Sequence, residues 1–165
     1  GFQLWVNLPA KEKMTQPRYQ EFPAERIPTV QPAPGVSVKV IAGIVGDASG
    51  PISQPATDPV YLDIALDAGS SWEYSLPEGH SVFAYVFEGE ASVGEGEDAR
   101  RLGTHELAVL SGGDVFKVTA TAKEARLILV AGRPLREPVA RYGPFVMNTK
   151  QEIMQAFADF QEGRF

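Results

Sequence analysis

Two histidines and the carboxylates near them are the residues of this 165-residue chain best suited to metal chemistry. His80 follows Glu78 in a turn between strands, and His105 precedes Glu106 in a second turn. Imidazole and carboxylate groups bind iron, copper or zinc, but a mononuclear site normally requires three or four ligands. Nothing in the spacing requires these four side chains to meet, so two unrelated turn histidines are the simpler interpretation. We therefore predict no catalytic, cofactor-binding or metal-binding residue in the chain.

Other kinds of reactive site are missing from the sequence. The chain has no cysteine, which excludes disulfides, thiolate zinc sites and cysteine nucleophiles. It has no Gly-x-Ser-x-Gly elbow, and the Gly-Glu-Gly run at 94–96 lacks the third glycine of a phosphate-binding loop. A cysteine-free chain without a secretory signal fits a reducing compartment, so we expect a cytoplasmic protein.

The charge and hydropathy disfavour nucleic acid and membrane partners. The net charge is −6, whereas nonspecific binding to nucleic acid relies on basic patches. Arg100 and Arg101 stand beside the acidic run at 95–98, which is typical of a solvated hairpin turn rather than a binding patch. The mean hydropathy is −0.13, and no apolar run approaches the length of a membrane span.

The elements that position these residues are predicted to be short antiparallel strands. Apolar and polar residues alternate in short segments, and turn residues separate them about every 8–12 residues, which indicates a sandwich or barrel. Turns are predicted at 88–90 and 111–114, where glycines permit positive φ. Phe83, Tyr85 and Phe87 are expected in the core or at its rim. The predicted strands are 36–40, 62–66, 72–76, 82–87, 91–93, 107–110, 115–118 and 127–131.

The two ends of the chain differ from this pattern. Residues 2–7 alternate, which predicts a strand at the start of the chain and suggests a fragment, and six prolines within 9–34 predict an extended linker. Near the other end, Thr149 and Glu152 form a capping box. An apolar helical face follows, which predicts an amphipathic helix. The residues of that face are Ile153, Phe157 and Phe160.

Blocks at both ends resemble the pirin family. The block Gly-Phe-Gln-Leu-Trp-Val-Asn-Leu-Pro-Ala at 1–10 is similar to the pirin domain junction, and Arg-Tyr-Gly-Pro-Phe-Val-Met-Asn-Thr at 141–149 is similar to the pirin C-terminus. Between them, Tyr-Val-Phe-Glu-Gly at 85–89 fits the second of the two pirin barrels. The resemblance implies an all-β cupin double-stranded β-helix barrel, or jelly roll, with a C-terminal amphipathic helix.

This resemblance divides the chain into four segments. Residues 1–8 are expected to be a leftover strand of an N-terminal cupin domain, and 9–34 a proline-rich linker. Residues 35–146 are expected to form the C-terminal cupin barrel, and 147–165 the C-terminal helix. In pirins only the first cupin holds iron, through a His-x-His pair and a later His-x-Glu that lie upstream of the block at 1–10. We therefore expect no cofactor here and iron in the N-terminal domain that is missing from this sequence.

The second cupin is predicted to have lost its metal site. In cupins the first ligands lie just before a segment like 85–89, and counting back gives positions near Leu76, Glu78 and Val82, without a histidine pair. The later cupin motif should close with a histidine, and residues 118–122 offer none. Apolar side chains cannot donate electron pairs to a metal.

The resemblance implies two alternative functions. The first is a non-catalytic C-terminal cupin domain, whose full-length relatives resemble iron-dependent quercetin 2,3-dioxygenases acting on flavonols. The second is a regulatory, protein-binding module of the pirin transcription-cofactor type, with no enzymatic role. The expected partners are the N-terminal cupin domain or a second copy of this chain, with a flavonol-like molecule bound only by the parent protein.

Overall fold

The computed structural model describes residues 1–17, 19–111 and 113–164. By contacts, the chain divides into a sandwich unit, residues 20–134, and a terminal unit, residues 1–19 and 135–165. The strands of the sandwich unit are β1 (Thr29–Ala33), β2 (Val36–Ala42), β3 (Ile44–Val45), β4 (Ala48–Ser49), β5 (Val60–Leu66), β6 (Ser71–Ser75), β7 (Ser81–Val93), β8 (Arg100–Leu102), β9 (Leu107–Leu110) and β10 (Val115–Gly132). The terminal unit contains β11 (Ala140–Tyr142), β12 (Phe145–Met147) and α1 (Lys150–Gln161).

The main sheet is antiparallel and is organised around two long strands. Its hydrogen-bonded order is β1-β2-β5-β10-β7-β8, with β6 pairing to β10 and β9 pairing to β7. The first half of β10 pairs with β6 and the second half with β5, so β10 contributes to both layers. The predicted all-β class with a C-terminal helix is confirmed, as a β-sandwich sheet rather than a closed barrel. None of the described helices is long and apolar enough to span a membrane.

The core lies between the layers and follows the alternation of the strands. In β2 and β5 every second residue is buried, because successive side chains of a strand point to opposite faces. Trp72 of β6 also lies in this core. The largest fully buried side chains are Phe116, Leu62, Ile64, Leu66, Leu127, Leu129, Val38, Val40, Val86 and Val118.

The predicted turn at 88–90 is wrong, because β7 continues through it. Gly89 has a φ of +72° and lies opposite Ala125 of β10. A Cβ at Gly89 would lie 2.0 Å from the backbone oxygen of Glu124, so only glycine fits at this position. The kink takes β7 from its pairing with β9, before Gly89, to its pairing with β8, after it. The predicted strands 115–118 and 127–131 are likewise parts of one strand, β10.

Three aromatic side chains of β7 lie on the face of the sheet that points away from the core. Val82, Ala84 and Val86 are the buried residues of this stretch. Because side chains alternate along a strand, Phe83, Tyr85 and Phe87 lie on the outer face of the sheet and are only half-buried. The prediction of core or rim positions did not choose between the two, because the whole segment 82–87 is apolar and alternation could not assign its faces. The half-buried side chains exclude the core and leave the rim.

The proline-rich segment contains a strand that the sequence did not predict. β1 lies within the predicted linker and forms the edge of the sheet beside β2. Its pairing shifts register between Val30 and Ala33, around Pro32. Proline is tolerated at such an edge because one side of the strand needs no ladder partner.

The terminal unit has the predicted helix but not the predicted first strand. Residues 2–8 form no strand, since no described strand forms a ladder with them. The capping box of Thr149 and Glu152 is confirmed at the start of α1. Ile153 is buried, and the Phe157 ring packs against Phe145 of β12 with the ring centroids 4.9 Å apart. The predicted apolar face of the helix therefore packs on the β11–β12 hairpin.

Candidate functional site

The candidate site is an open cleft of about 470 Å³ in the sandwich unit. It lies where the end of β6, both ends of β7 and the starts of β8 and β10 approach the strand β9. The site is assembled from segments that are far apart in sequence and that the sheet pairings bring together. Its lining residues are Leu76, His80, Val82, Val93, Gly94, Asp98, Arg100, Ala108, Val109, Leu110, Ser111, Gly113, Val115, Phe116 and Lys117.

The cupin ligand positions inferred from the sequence fall partly in this cleft. Leu76 and Val82 line it, whereas Glu78 is exposed and lies outside the lining. The Leu76 amide donates to the carbonyl oxygen of Asp114 at 2.7 Å, which ties the end of β6 to the start of β10. Phe116, which is only 1% exposed, also lines the cleft. These apolar side chains have no donor atoms, so the residues present do not fit an iron ion at these positions.

His80 lines the same cleft, but its ring is held by protein oxygens. Its side chain is 2% exposed. The Nε2 atom lies 3.0 Å from the carbonyl oxygen of Asp58 and 3.3 Å from its carboxylate, and Nδ1 lies 3.3 Å from the carbonyl oxygen of Glu78. Arg133 adds a further contact to the Asp58 carboxylate at 3.6 Å. Both ring nitrogens of His80 therefore face acceptors within the protein, and the geometry assigns this residue a structural role.

His105 is placed elsewhere on the sheet. It is exposed, with a φ of +71°, and its Nδ1 lies 3.1 Å from the Tyr85 hydroxyl. Its amide donates to the carbonyl oxygen of Val86, six residues after His80, which places the two histidine backbones roughly 20 Å apart. Glu106 accepts a hydrogen bond from the Gly103 amide at 2.7 Å. Within the described residues no three metal-ligating side chains come together.

Arg100 is the residue of the cleft that the sequence interpretation missed. In β8, Leu102 is buried, and Arg100, two residues earlier, lies on the same inner face opposite Val93. Arg101 points the other way and pairs with Glu90 at 2.8 Å. The prediction of a solvated hairpin agrees with the exposure of both arginines, but it did not place Arg100 at the cleft. The signal was the Arg-Arg-Leu alternation, in which the first arginine shares a face with a buried leucine.

Lys117, which also lines the cleft, is already paired with two carboxylates. Lys117 lies 2.9 Å from Glu73 and 2.7 Å from Glu95. The hydrogen bond from Lys117 holds the pKa of the Glu95 carboxyl below its ordinary value, and the same bond raises the pKa of Lys117. By contrast, Arg100 donates through Nη1 to two backbone oxygens, of Glu97 at 2.8 Å and Ala99 at 3.0 Å.

Comparison with known families identifies the class of this sandwich. Residues 61–165 match the family model described as "Pirin C-terminal cupin domain". This part of the chain is therefore a cupin domain. The chain belongs to the pirin family, as the sequence blocks at its two ends predicted.

Individual relatives support the same assignment. The chain is 45% identical to a "Pirin-like protein" of Caulobacter vibrioides and 42% identical to human "Pirin", over essentially its whole length. The crystal structure of a quercetin 2,3-dioxygenase from Acinetobacter baumannii is 39% identical over 98% of this chain, with a TM-score of 0.88. The chain spans 58% and 56% of the two curated relatives and 55% of the crystallised chain.

Proposed function

We propose that this chain is the non-catalytic cupin domain of a pirin-like protein, and that it supports an iron-bearing cupin domain without supplying a ligand to the iron. The observation that carries this proposal is the chemistry of the cleft. Leu76 and Val82 occupy two of the inferred ligand positions, and Phe116 lines the cleft with them. Their hydrocarbon side chains pack together and cannot coordinate a metal.

Oxidation of a flavonol is proposed only for a protein that also includes the N-terminal cupin domain. The support is the likeness to the Acinetobacter quercetin 2,3-dioxygenase, of which this chain covers 55%. Oxygen chemistry is usually carried by a bound redox cofactor, to which the protein adds binding, orientation and electrostatics. In this proposal the contribution of the chain is to pack against the metal-bearing domain.

Metal analysis and a turnover assay test the proposal directly. We expect the purified chain, after dialysis, to contain no stoichiometric iron and to oxidise quercetin no faster than a chelator-treated sample. The matched variants are His80→Ala and His105→Ala, which remove the chain's two imidazoles. About one iron per chain that is lost in either variant would contradict the proposal, as would turnover that chelation abolishes.

A second candidate function, a protein-binding module with no enzymatic role, is favoured by the terminal unit. Although this unit is the smaller of the two, it contains most of the exposed large apolar side chains of the described residues. Such side chains on one small unit are typical of a surface that another protein covers. They are Phe2, Leu4, Trp5, Val6, Met14, Tyr19, Val139, Tyr142, Met154 and Phe160.

A further inference from the structure

We infer that the cleft of the sandwich unit binds a small hydroxylated aromatic carboxylate, with Arg100 pairing with the carboxylate. The site is formed only by residues of the sandwich unit. Binding at this site therefore requires neither a metal nor the N-terminal cupin domain, so the inference goes beyond the proposed function.

The position of Arg100 is the first argument. By strand alternation Arg100 lies on the same face of β8 as buried Leu102 and opposite buried Val93, but the residue itself is exposed where it lines the cleft. Charged residues on the core side of a sandwich are costly unless they are paired or reach an opening. Arg100 reaches the open cleft, where its guanidinium group can meet a ligand.

The charges around the cleft are the second argument. Lys117 is paired with two carboxylates, and His80 is held by Asp58. Within the described part of the chain, Arg100 forms no ion pair with a carboxylate, and its Nη1 donates to backbone oxygens. A guanidinium group has five donors in a planar fork that matches a carboxylate, so Arg100 retains donors for one.

The apolar part of the cleft wall is the third argument. Leu76, Ala108 and Leu110 are partly buried against the core and keep the rest of their surface towards solvent, where they line the cleft. A cleft of about 470 Å³ falls within the usual range of roughly 300–1,000 Å³ for small-molecule sites. A single aromatic ring fits this volume and this wall.

Asp98 sets the remaining chemistry of the ligand. It is exposed on the rim, two residues before Arg100. An ionised carboxylate accepts hydrogen bonds but repels other anions. It therefore favours a ligand with one carboxylate, directed at Arg100, and hydroxyl groups elsewhere on the ring, and it disfavours a dicarboxylate.

The test is an NMR titration of the ¹⁵N-labelled chain with 3,4-dihydroxybenzoate. We expect saturable shifts at the amides of Leu76, Ala108 and Leu110. Arg100→Gln should weaken binding at least about tenfold, because it removes a charge-assisted hydrogen-bonded pair. Arg26→Gln is the matched control: Arg26 is exposed and lies outside the cleft, so the loss of the same charge there should leave binding unchanged.

A ligand pair keeps the test decisive if Arg100→Gln does not fold. The neutral amide 3,4-dihydroxybenzamide has the same ring and nearly the same size, so the wild-type chain should bind it at least about tenfold more weakly than the acid. Equal binding of acid and amide overturns the inference. So does an undiminished affinity in folded Arg100→Gln, or the lack of saturable shifts at the cleft up to about 10 mM ligand, far weaker than a specific site.

Discussion

At the scale of single residues, the space around a backbone position restricts which residue fits there as strongly as side-chain chemistry does. Gly89 allows β7 to kink against the backbone of β10, with no room for a Cβ beside Glu124. Gly69 has almost the same φ, +74° against +72°, but no atom lies within 4 Å of its notional Cβ. Substitutions at the two glycines can therefore distinguish the free-energy cost of a left-handed backbone from the free-energy cost of a steric collision.

We predict that Gly89→Ala destabilises the sandwich unit far more than Gly69→Ala. An alanine at Gly69 should cost about 1–2 kcal/mol, the usual penalty for an L-residue in the left-handed region. Gly89→Ala adds a collision with backbone and should cost more than about 4 kcal/mol, or prevent folding. Urea unfolding followed by the fluorescence of buried Trp72 measures both. Equal losses in the two variants would show that the strand moves freely around Gly89.

The sequence revealed the chemistry at this scale but not the geometry. It named His80, His105 and Glu78 as residues to examine, because their types alone suggest metal binding. It could not show that both ring nitrogens of His80 face acceptors within the protein, since Asp58 is 22 residues away in the chain. It also did not place Arg100 at the cleft, because that position depends on which face of β8 is buried.

At the scale of elements, local signals predicted the helix well and the strands less well. The capping box of α1 lies within four residues, so the sequence contains all the atoms that form it. The Glu152 carboxylate accepts from the amides of Asn148 at 2.9 Å and Thr149 at 2.7 Å, while the Glu152 amide donates to the Thr149 hydroxyl at 3.2 Å. By contrast, a glycine fits a turn and a kink equally, so the Glu-Gly-Glu run at 88–90 could not distinguish them.

We predict that Thr149→Ala destabilises the terminal unit by about 1 kcal/mol, the usual cost of losing an N-cap. Lys150→Ala, one residue later on an exposed position, is the control and should be nearly neutral. Thermal unfolding followed by circular dichroism at the helix band measures the difference. An unchanged transition in Thr149→Ala would mean that the packing of α1 on its hairpin outweighs the cap.

The same capping box predicts a pH dependence with a defined sign. Hydrogen bonds from the backbone amides of Asn148 and then Thr149 hold the pKa of Glu152 below its ordinary value. A depressed folded-state pKa contributes stability above the ordinary value and loses it as the pH falls through the lower, folded-state pKa. The helical circular-dichroism signal of the wild-type chain should therefore be lost at a lower temperature in acid. In Glu152→Gln the melting temperature should fall less over the same acidic pH range. A curve with the same slope in both proteins contradicts this assignment.

At the scale of the whole molecule, the cleft and the apolar surface depend on long-range pairing. Strands distant in sequence meet in the main sheet, and the cleft residues run from Leu76 to Lys117. Local periodicity predicts strands but not which strands pair, so the sequence predicted a sandwich or barrel without its cleft. The exposed apolar side chains of the terminal unit were expected in part, from the alternation at residues 2–7 and the face of α1.

We predict that these exposed side chains drive association, and Trp5 reports on it. Trp5 is 77% exposed, whereas Trp72, the other tryptophan, is 8% exposed and gives a constant background. Covering apolar surface contributes about 25 cal/mol for each Å². As the concentration of the chain rises from about 1 μM to 1 mM, a range that spans weak association, the Trp5 emission should shift to the blue while light scattering shows a rising mass. Trp5→Ser should remove the shift and lower the mass, whereas Ile44→Ser, at a 61% exposed position of the sandwich unit, should leave both unchanged. A monomeric mass and a fixed emission at every concentration would instead show that the terminal unit requires a different protein, and the N-terminal cupin domain of a pirin-like relative is then the partner to add.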